Sequence, residues 1–119
     1  MITKLKLEDI FIVDGSVVLC GPIEQGEITL NSFVKVDGLL IPIRRLERFR
    51  KSVTMVEKGD IPGLFLDKDF NHLMRLDNKK TNGRVKTIFD ELVFKRNNVL
   101  LSIIDIEQLR DDKLDQLGI

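Results

Sequence analysis

The fold is decided by three glycine-punctuated stretches: CGPIEQGEI at Cys20–Ile28, VKVDG at Val34–Gly38 and EKGDIPGLFL at Glu57–Leu66. Each places glycine beside a short apolar segment, where glycine supplies a positive φ or lets two backbones approach closely at a corner. Repeated at this density, the pattern predicts a small sheet that folds back on itself. No catalytic motif lies among these glycines.

Short strands and tight turns are predicted on both sides of these stretches. Asp14-Gly15 and Asp37-Gly38 are strong signals for two-residue hairpin turns. The strand Leu39–Leu46 contains Pro42, which indicates an edge position or a bulge. In the segment 26–30, Ile28 and Leu30 are expected to face inward because they alternate with polar residues. Further strands are predicted at Phe11–Val13, Ser16–Cys20, Phe33–Val36, Val53–Val56 and Leu64–Leu66. About six or seven strands at this spacing are typical of a β-sandwich or barrel.

The segment after Leu66 has a less regular pattern. One helical turn is expected around Phe70–Met74, and extended structure at Val85–Ile88 and Leu92–Phe94. Val99–Ile104 would pair with Leu92–Phe94 as an added C-terminal hairpin. A C-terminal α-helix is predicted over 105–118, with a capping-box-like pair at its start and glycine at its end. Residues 1–119 are expected to form one mostly-β domain.

Composition restricts the possible functions. The chain has 119 residues, with 19 basic and 19 acidic side chains and a formal net charge of zero. This balance weakens the case for bulk nucleic-acid binding but leaves room for a local basic patch. No apolar run has the length of a membrane span, so no membrane association is expected. Cys20 is the only cysteine, which favours a reducing compartment and a cytoplasmic location.

Residue types suited to catalysis or metal binding are scarce. His72 and Cys20 are the only histidine and cysteine. A nucleophilic dyad would need both in one pocket with a third orienting group, and a zinc site needs about four ligands. Cys20 lies in an apolar strand, where a small buried thiol is the commoner role. We therefore expect no catalytic residue, no metal site, no cofactor and no enzymatic activity.

The segment Arg44–Lys51, RRLERFRK, carries five basic residues in eight positions. Strand alternation would place Arg44, Arg48 and Arg50 on the face of Leu46, and Arg45, Glu47, Phe49 and Lys51 on the other. One interpretation is a phosphate-contacting stripe with Phe49 available for stacking. The alternative is a solvated edge strand whose charges prevent aggregation and pair with acidic neighbours. A second basic group around Thr81-Asn82-Gly83 has the composition of an exposed loop.

Five pieces in order over residues 7–66 resemble domain 2 of elongation factor Tu, the β-barrel shared by translational GTPases. The pieces are Glu8–Phe11, Gly15 with Val17-Val18, Gly21–Ile28, Leu46–Lys51 and Gly59–Leu64. The resemblance implies a six- to seven-stranded translation-factor-type β-barrel. A Gly-x4-Gly-Lys-Ser/Thr loop is not present in the sequence, so no nucleotide hydrolysis is expected.

In that family the barrel is a binding surface that holds the aminoacyl end of transfer RNA and touches ribosomal RNA. The matching positions here are Asp9, Phe11, Glu47, Phe49 and Arg50. The resemblance implies that Arg50 binds a phosphate or the terminal ribose. It also implies that Glu47 accepts hydrogen bonds from a base or hydroxyl and that an exposed phenylalanine stacks.

Two functional hypotheses follow. The first is a non-catalytic module that binds RNA or a component of the translation apparatus through Asp9, Phe11, Arg44, Glu47, Arg48, Phe49, Arg50 and Lys51. The second is a small bacterial protein-interaction domain, such as an inhibitor, immunity-type or regulatory protein, with one specific protein partner. Balanced charge and small size favour the second, while the ordered pieces and the basic segment favour the first.

Overall fold

The computed structural model describes residues 2–81, 84–96 and 98–107, and of 77–81 and 84 only the backbone. Thirteen strands lie in this part of the chain: β1 Thr3–Leu7, β2 Asp9–Val13, β3 Ser16–Cys20, β4 Ile23–Gln25, β5 Glu27–Thr29, β6 Ser32–Val36, β7 Leu39–Arg48, β8 Lys51–Val53, β9 Met55–Glu57, β10 Gly63–Leu66, β11 Arg75–Thr81, β12 Arg84–Thr87 and β13 Val99–Asp105. A 3-10 turn over Lys68–Phe70 leads into the short helix α1, Asn71–Met74, and α2 spans Ile88–Lys95. The predicted mostly-β class is confirmed, as is the helical turn near Phe70.

One bent antiparallel sheet contains most of these strands. Its order is β2-β3-β10-β7-β6-β13-β1-β4, with β8 added to the end of β7. The path of paired strands is open, but β1 runs directly into β2 and β3 into β4. The backbone N–H of Lys6 donates to the carbonyl of Pro22 at 2.9 Å, and that of Glu8 to Cys20 at 3.0 Å. These bonds fold the sheet back on itself, as the glycine spacing predicts.

Gly21 makes that fold-back possible. A Cβ atom built on Gly21 would lie 1.7 Å from the carbonyl oxygen of Lys6, so no residue with a side chain fits there. Gly26, at the next corner, has a φ of +83° and would place a Cβ 2.9 Å from the Cα of Thr3. Both glycines therefore act as the sequence predicts, one through close approach and one mainly through backbone conformation.

The core lies inside the bend and is built from aliphatic side chains of nearly every strand. Among the fully buried ones are Leu5, Val17, Leu19, Ile28, Val34, Ile41, Ile43, Leu46, Val56 and Leu64. Phe89 of α2 and Met74 of α1 are also fully buried, so both helices pack on this core. Leu30, expected to face inward, is 40% exposed, because β5 ends at Thr29 and the alternation does not continue.

The two Asp-Gly hairpin turns form as predicted. Asp14 and Gly15 have φ values of 50° and 82°, and Asp37 and Gly38 have 46° and 80°. A positive φ at both central positions is the type I′ requirement that aspartate and glycine meet at low cost.

The strand that contains Pro42 is central, so the edge alternative is wrong and the bulge alternative is confirmed. β7 pairs with β6 through Leu39–Pro42 and with β10 through Ile43–Glu47. The register with β10 shifts where Phe65 faces Arg45 and Leu66 faces Ile43. Arg44 is thus the extra residue on the bulged strand.

The C-terminal hairpin predicted between 92–94 and 99–104 is wrong. Leu92–Phe94 lies inside α2, whose capping box joins Thr87 and Asp90. β13 instead pairs with β1 on one side and β6 on the other. Residues 108–119 of the predicted C-terminal helix lie outside the described residues, as do Asn82 and Gly83 of the predicted turn.

Candidate binding groove

An open groove of about 640 Å³ lies on the outer face of the sheet, where β2, β3, β10 and β7 run side by side. Its apolar lining consists of Phe11, Val13, Val18, Ile61 and Phe65, with Phe49 at the rim, and its polar lining consists of Cys20, Glu47 and Arg50. We call this feature the groove. Its aromatic side chains come from three separate segments, and the sheet register brings them together.

Two cross-strand rows form the floor of the groove. In the first, Phe11 faces Val18, Val18 faces Phe65, and Phe65 faces Arg45. Because residues in register on neighbouring strands share a face, this row is an aromatic and aliphatic strip that ends in a guanidinium group.

The second row contains Asp9, Cys20, Gly63 and Glu47. Asp9 faces Cys20, Cys20 faces Gly63, and Gly63 faces Glu47. Gly63 has no side chain, so the floor dips between the thiol of Cys20 and the carboxylate of Glu47.

Arg45 contacts both Phe65 and Glu47 at one side of the groove. Its guanidinium carbon lies 5.3 Å from the centroid of the Phe65 ring, a cation–π distance. Its Nη2 is 2.5 Å from Oε2 of Glu47. Glu47 is therefore already oriented, and one of its oxygens remains for a ligand because a carboxylate accepts several hydrogen bonds.

The tip of the β7–β8 hairpin forms the rim of the groove. Phe49 and Arg50 are its two turn residues, with φ values of 53° and 63°. Non-glycine residues are uncommon in this left-handed region, and bulky ones pay a steric cost there. Phe49 is 88% exposed, so packing against the core does not explain this conformation.

The basic residues of 44–51 separate into different environments. Nε of Arg44 lies 2.7 Å from Oδ2 of Asp67, and Nη1 of Arg48 lies 3.3 Å from Oδ2 of Asp60. The shared face expected for Arg44, Arg48 and Arg50 is not formed, since Arg44 is in the bulge and β7 ends at Arg48. Lys51 is in register with Arg48, on the face opposite Glu47.

Arg50 and Lys51 make no ion pair with any residue whose side chain the structure describes, and of these two only Arg50 lines the groove. Of the predicted site residues, Phe11, Glu47, Phe49 and Arg50 line the groove, and Asp9 lies at the end of its second row. Arg44, Arg48 and Lys51 point elsewhere.

Several residues that line or support the groove are absent from the sequence-based set. Arg45 contacts Glu47 and Phe65 beside the groove, and the lining residues among them are Val13, Val18, Cys20, Ile61, Gly63 and Phe65. The alternation of side chains along a strand is enough to place two of them on the outer face of the sheet. Buried Leu64 and Leu66 imply that Phe65 faces outward, and Arg45 alternates with Glu47. The contribution of Ile61 depends on a loop path that no local pattern predicts.

Two ionisable groups near β7 have shifted pKa values. The pKa of the Cys20 thiol is raised, chiefly by burial and further by the nearby carboxylates of Asp9 and Glu8, so the thiol stays protonated at neutral pH. The pKa of Asp67 is lowered by the hydrogen bond from the Asp69 backbone N–H and by Arg44. Arg44 therefore stabilises the cap of the 3-10 turn.

The described residues contain no group of three or more His, Cys, Asp or Glu that could hold a metal ion.

The groove combines an apolar strip in its floor, an exposed ring at the rim, one oriented carboxylate and one unpaired guanidinium. An aromatic base can stack on the rings, an anionic oxygen can bind Arg50, and a hydroxyl or amino group can donate to Glu47. These elements fit a ligand that is both planar and anionic.

No protein-family model matches the chain. Among solved structures, the chain is similar to translation elongation factor SelB from Methanococcus maripaludis in its apo form, with a TM-score of 0.52 and 24% identity. The match covers 56% of this chain and 15% of that one. The chain therefore has a translation-factor-like β fold and spans a small part of the factor's length. No helix within the described ranges is long and apolar enough to cross a membrane.

Proposed function

We propose that this domain is a non-catalytic binding module of the translation apparatus and that the groove binds the aminoacyl end of a transfer RNA. The observation that carries the proposal is the placement of Phe11, Glu47 and Arg50 along one groove. These positions are the ones that the elongation factor Tu resemblance identifies from the sequence. The translation-factor-like fold supports the same interpretation.

Each feature of the groove has a role in this proposal. Phe11 and Phe65 offer a surface for the terminal base, and Glu47, held by Arg45, accepts a hydrogen bond from a hydroxyl. Arg50 binds a phosphate, because its charge is not neutralised by a described carboxylate. The protonated thiol of Cys20 acts as a small half-buried side chain in the floor.

A salt-titrated binding assay tests the proposal. We expect Phe11→Ala and Arg50→Gln each to weaken transfer RNA binding by about tenfold, since a stacked base or a charged hydrogen bond contributes roughly 1–3 kcal/mol. Arg50→Gln should also reduce the slope of log Kd against log salt, and Phe11→Ala should not. Lys35→Gln, an exposed charge on β6, is the matched control.

The same assay with a transfer RNA shortened at its aminoacyl end tests whether the groove binds that end. If the shortened RNA binds as tightly as the intact one, or if Phe11→Ala has no effect on either, the groove is not the site for that end.

A protein ligand for the groove is a second candidate, favoured by its exposed apolar rim. Phe49 and Ile61 are 88% and 62% exposed, and adjacent exposed apolar residues are typical of protein-interaction sites. This candidate predicts a stoichiometric protein that stays bound after nuclease treatment. It also predicts that Phe49→Ala releases that protein and Lys35→Gln does not.

A further inference from the structure

The zero net charge conceals an uneven distribution along the chain. β11 and β12, which we call the ribbon, span 75–87 and contain five basic side chains and one acidic one, a net charge of +4. The basic residues are Arg75, Lys79, Lys80, Arg84 and Lys86. Since the whole chain is neutral, the rest of it carries −4. The ribbon is thus a local basic element on an acidic domain.

The ribbon is ordered β structure, where the sequence favoured an exposed loop. Its two strands pair only with each other in the described part of the chain, with Arg75 facing Thr87 and Lys80 facing Val85. Both ends are fixed in the core, because Met74 before it and Thr87 after it are fully buried. The five basic positions therefore lie on two paired strands that are anchored at both ends.

The base of the ribbon meets the end of the groove strands. Nη2 of Arg75 donates to the carbonyl of Gly15 at 3.3 Å, and Nδ2 of Asn71 donates to the same oxygen at 2.8 Å. Gly15 lies in the β2–β3 turn, two residues after Val13 of the groove. A ligand that leaves the groove along β2 would reach the ribbon.

An aromatic ring lies beside the ribbon. Phe94 of α2 is 86% exposed, and Nζ of Lys86 lies 5.8 Å from its ring centroid. Exposed rings beside cations are the pairing that stacks unpaired bases while it neutralises their phosphates.

We propose that the ribbon is a second, sequence-independent binding surface for the sugar–phosphate backbone of RNA. Several basic residues on two paired strands suit a chain of regularly spaced phosphates. The exposed ring of Phe94 can stack on a base, and an acidic protein partner has no base to offer it. This inference goes beyond the groove, because ribbon binding requires neither an RNA end nor the groove residues.

The test measures the anisotropy of a labelled, mixed-sequence single-stranded oligoribonucleotide over a range of KCl concentrations. Lys79→Gln/Lys80→Gln is compared with Lys35→Gln/Lys58→Gln, which removes the same charge from exposed positions outside the ribbon. Loss of two phosphate contacts should reduce the salt slope by about 1.4 in the ribbon variant. The control variant should keep the slope of the wild type. Equal melting temperatures establish that both variants are folded.

Equal slopes for the two double variants would overturn the proposal. So would binding to anionic lipid vesicles that depends on Lys79 and Lys80 while RNA binding does not. The two surfaces have separate tests. Phe11→Ala reports on the groove through the affinity for transfer RNA, and Lys79→Gln/Lys80→Gln reports on the ribbon through the oligoribonucleotide salt slope, so failure of the groove and failure of the ribbon give different results.

Discussion

Gly63 is the first residue of β10 and pairs with Cys20 on one neighbouring strand and Glu47 on the other. Glycine weakens a paired strand position because it loses more conformational freedom on folding than any other residue. A Cβ built at Gly63 would meet Cγ1 of Val18 at 3.6 Å and Cε1 of Phe65 at 3.7 Å. These are ordinary contacts, so an alanine fits at this position. Its methyl group would fill part of the groove floor.

We predict that Gly63→Ala raises the free energy of unfolding by about 0.5–1 kcal/mol and weakens ligand binding in the groove. Chemical denaturation and the transfer RNA assay measure the two effects. Gly21→Ala is the contrasting variant. It should lower stability by at least about 3 kcal/mol, because its Cβ would overlap the Lys6 carbonyl. A destabilised Gly63→Ala protein would contradict this account.

Three two-residue hairpin turns in the described residues show where an element departs from its preferred sequence. Two have Asp-Gly, while the β7–β8 turn has Phe49 and Arg50 in the same left-handed conformation. Strain of this kind persists when the residues serve another role. Both side chains lie at the rim of the groove, where the proposed ligand contact would give them such a role.

We predict that Phe49→Asn/Arg50→Gly stabilises the protein by about 1–2 kcal/mol, because Asn-Gly is the preferred type I′ pair. The same variant should lose binding in the groove. Thermal unfolding and the salt titration give the two readouts. Asp37→Asn in the β6–β7 turn is the control, and it should change both quantities little. Lower stability of the double variant would show that the turn residues contribute packing.

Elements were predictable from sequence where a local signal decided them. Asp14-Gly15 and Asp37-Gly38 specify their turns by backbone preference alone, and Gly21 and Gly26 mark the corners. Leu92–Phe94 was misassigned because a short apolar run does not distinguish strand from helix. The capping box between Thr87 and Asp90 is the signal in the sequence that identifies α2.

At the level of the whole molecule, β13 completes the main sheet by inserting between β1 and β6. Two adjacent leucines in it have opposite environments: Leu101 is 3% exposed and Leu100 is 53% exposed. β13 is therefore part of the fold and not an appendage to it.

We predict that Leu101→Ala lowers the free energy of unfolding by about 2–5 kcal/mol. Leu100→Ala, the same substitution one residue away, should change it by less than about 0.5 kcal/mol. Urea denaturation of both variants provides the comparison. Similar small effects would mean that β13 is not needed to hold β1 and β6 together.

The sequence by itself determined the β class, the hairpin turns and the corners, because glycine and aspartate act through the backbone of their own few residues. It also identified Phe11, Glu47 and Arg50 through family resemblance. Only the tertiary structure paired Arg44 with Asp67 and Arg48 with Asp60, and placed Phe65 in the groove with Arg45 beside it. Those outcomes depend on strand register and on a bulge, which pair residues distant in the chain. The position of β13 in the sheet has the same cause.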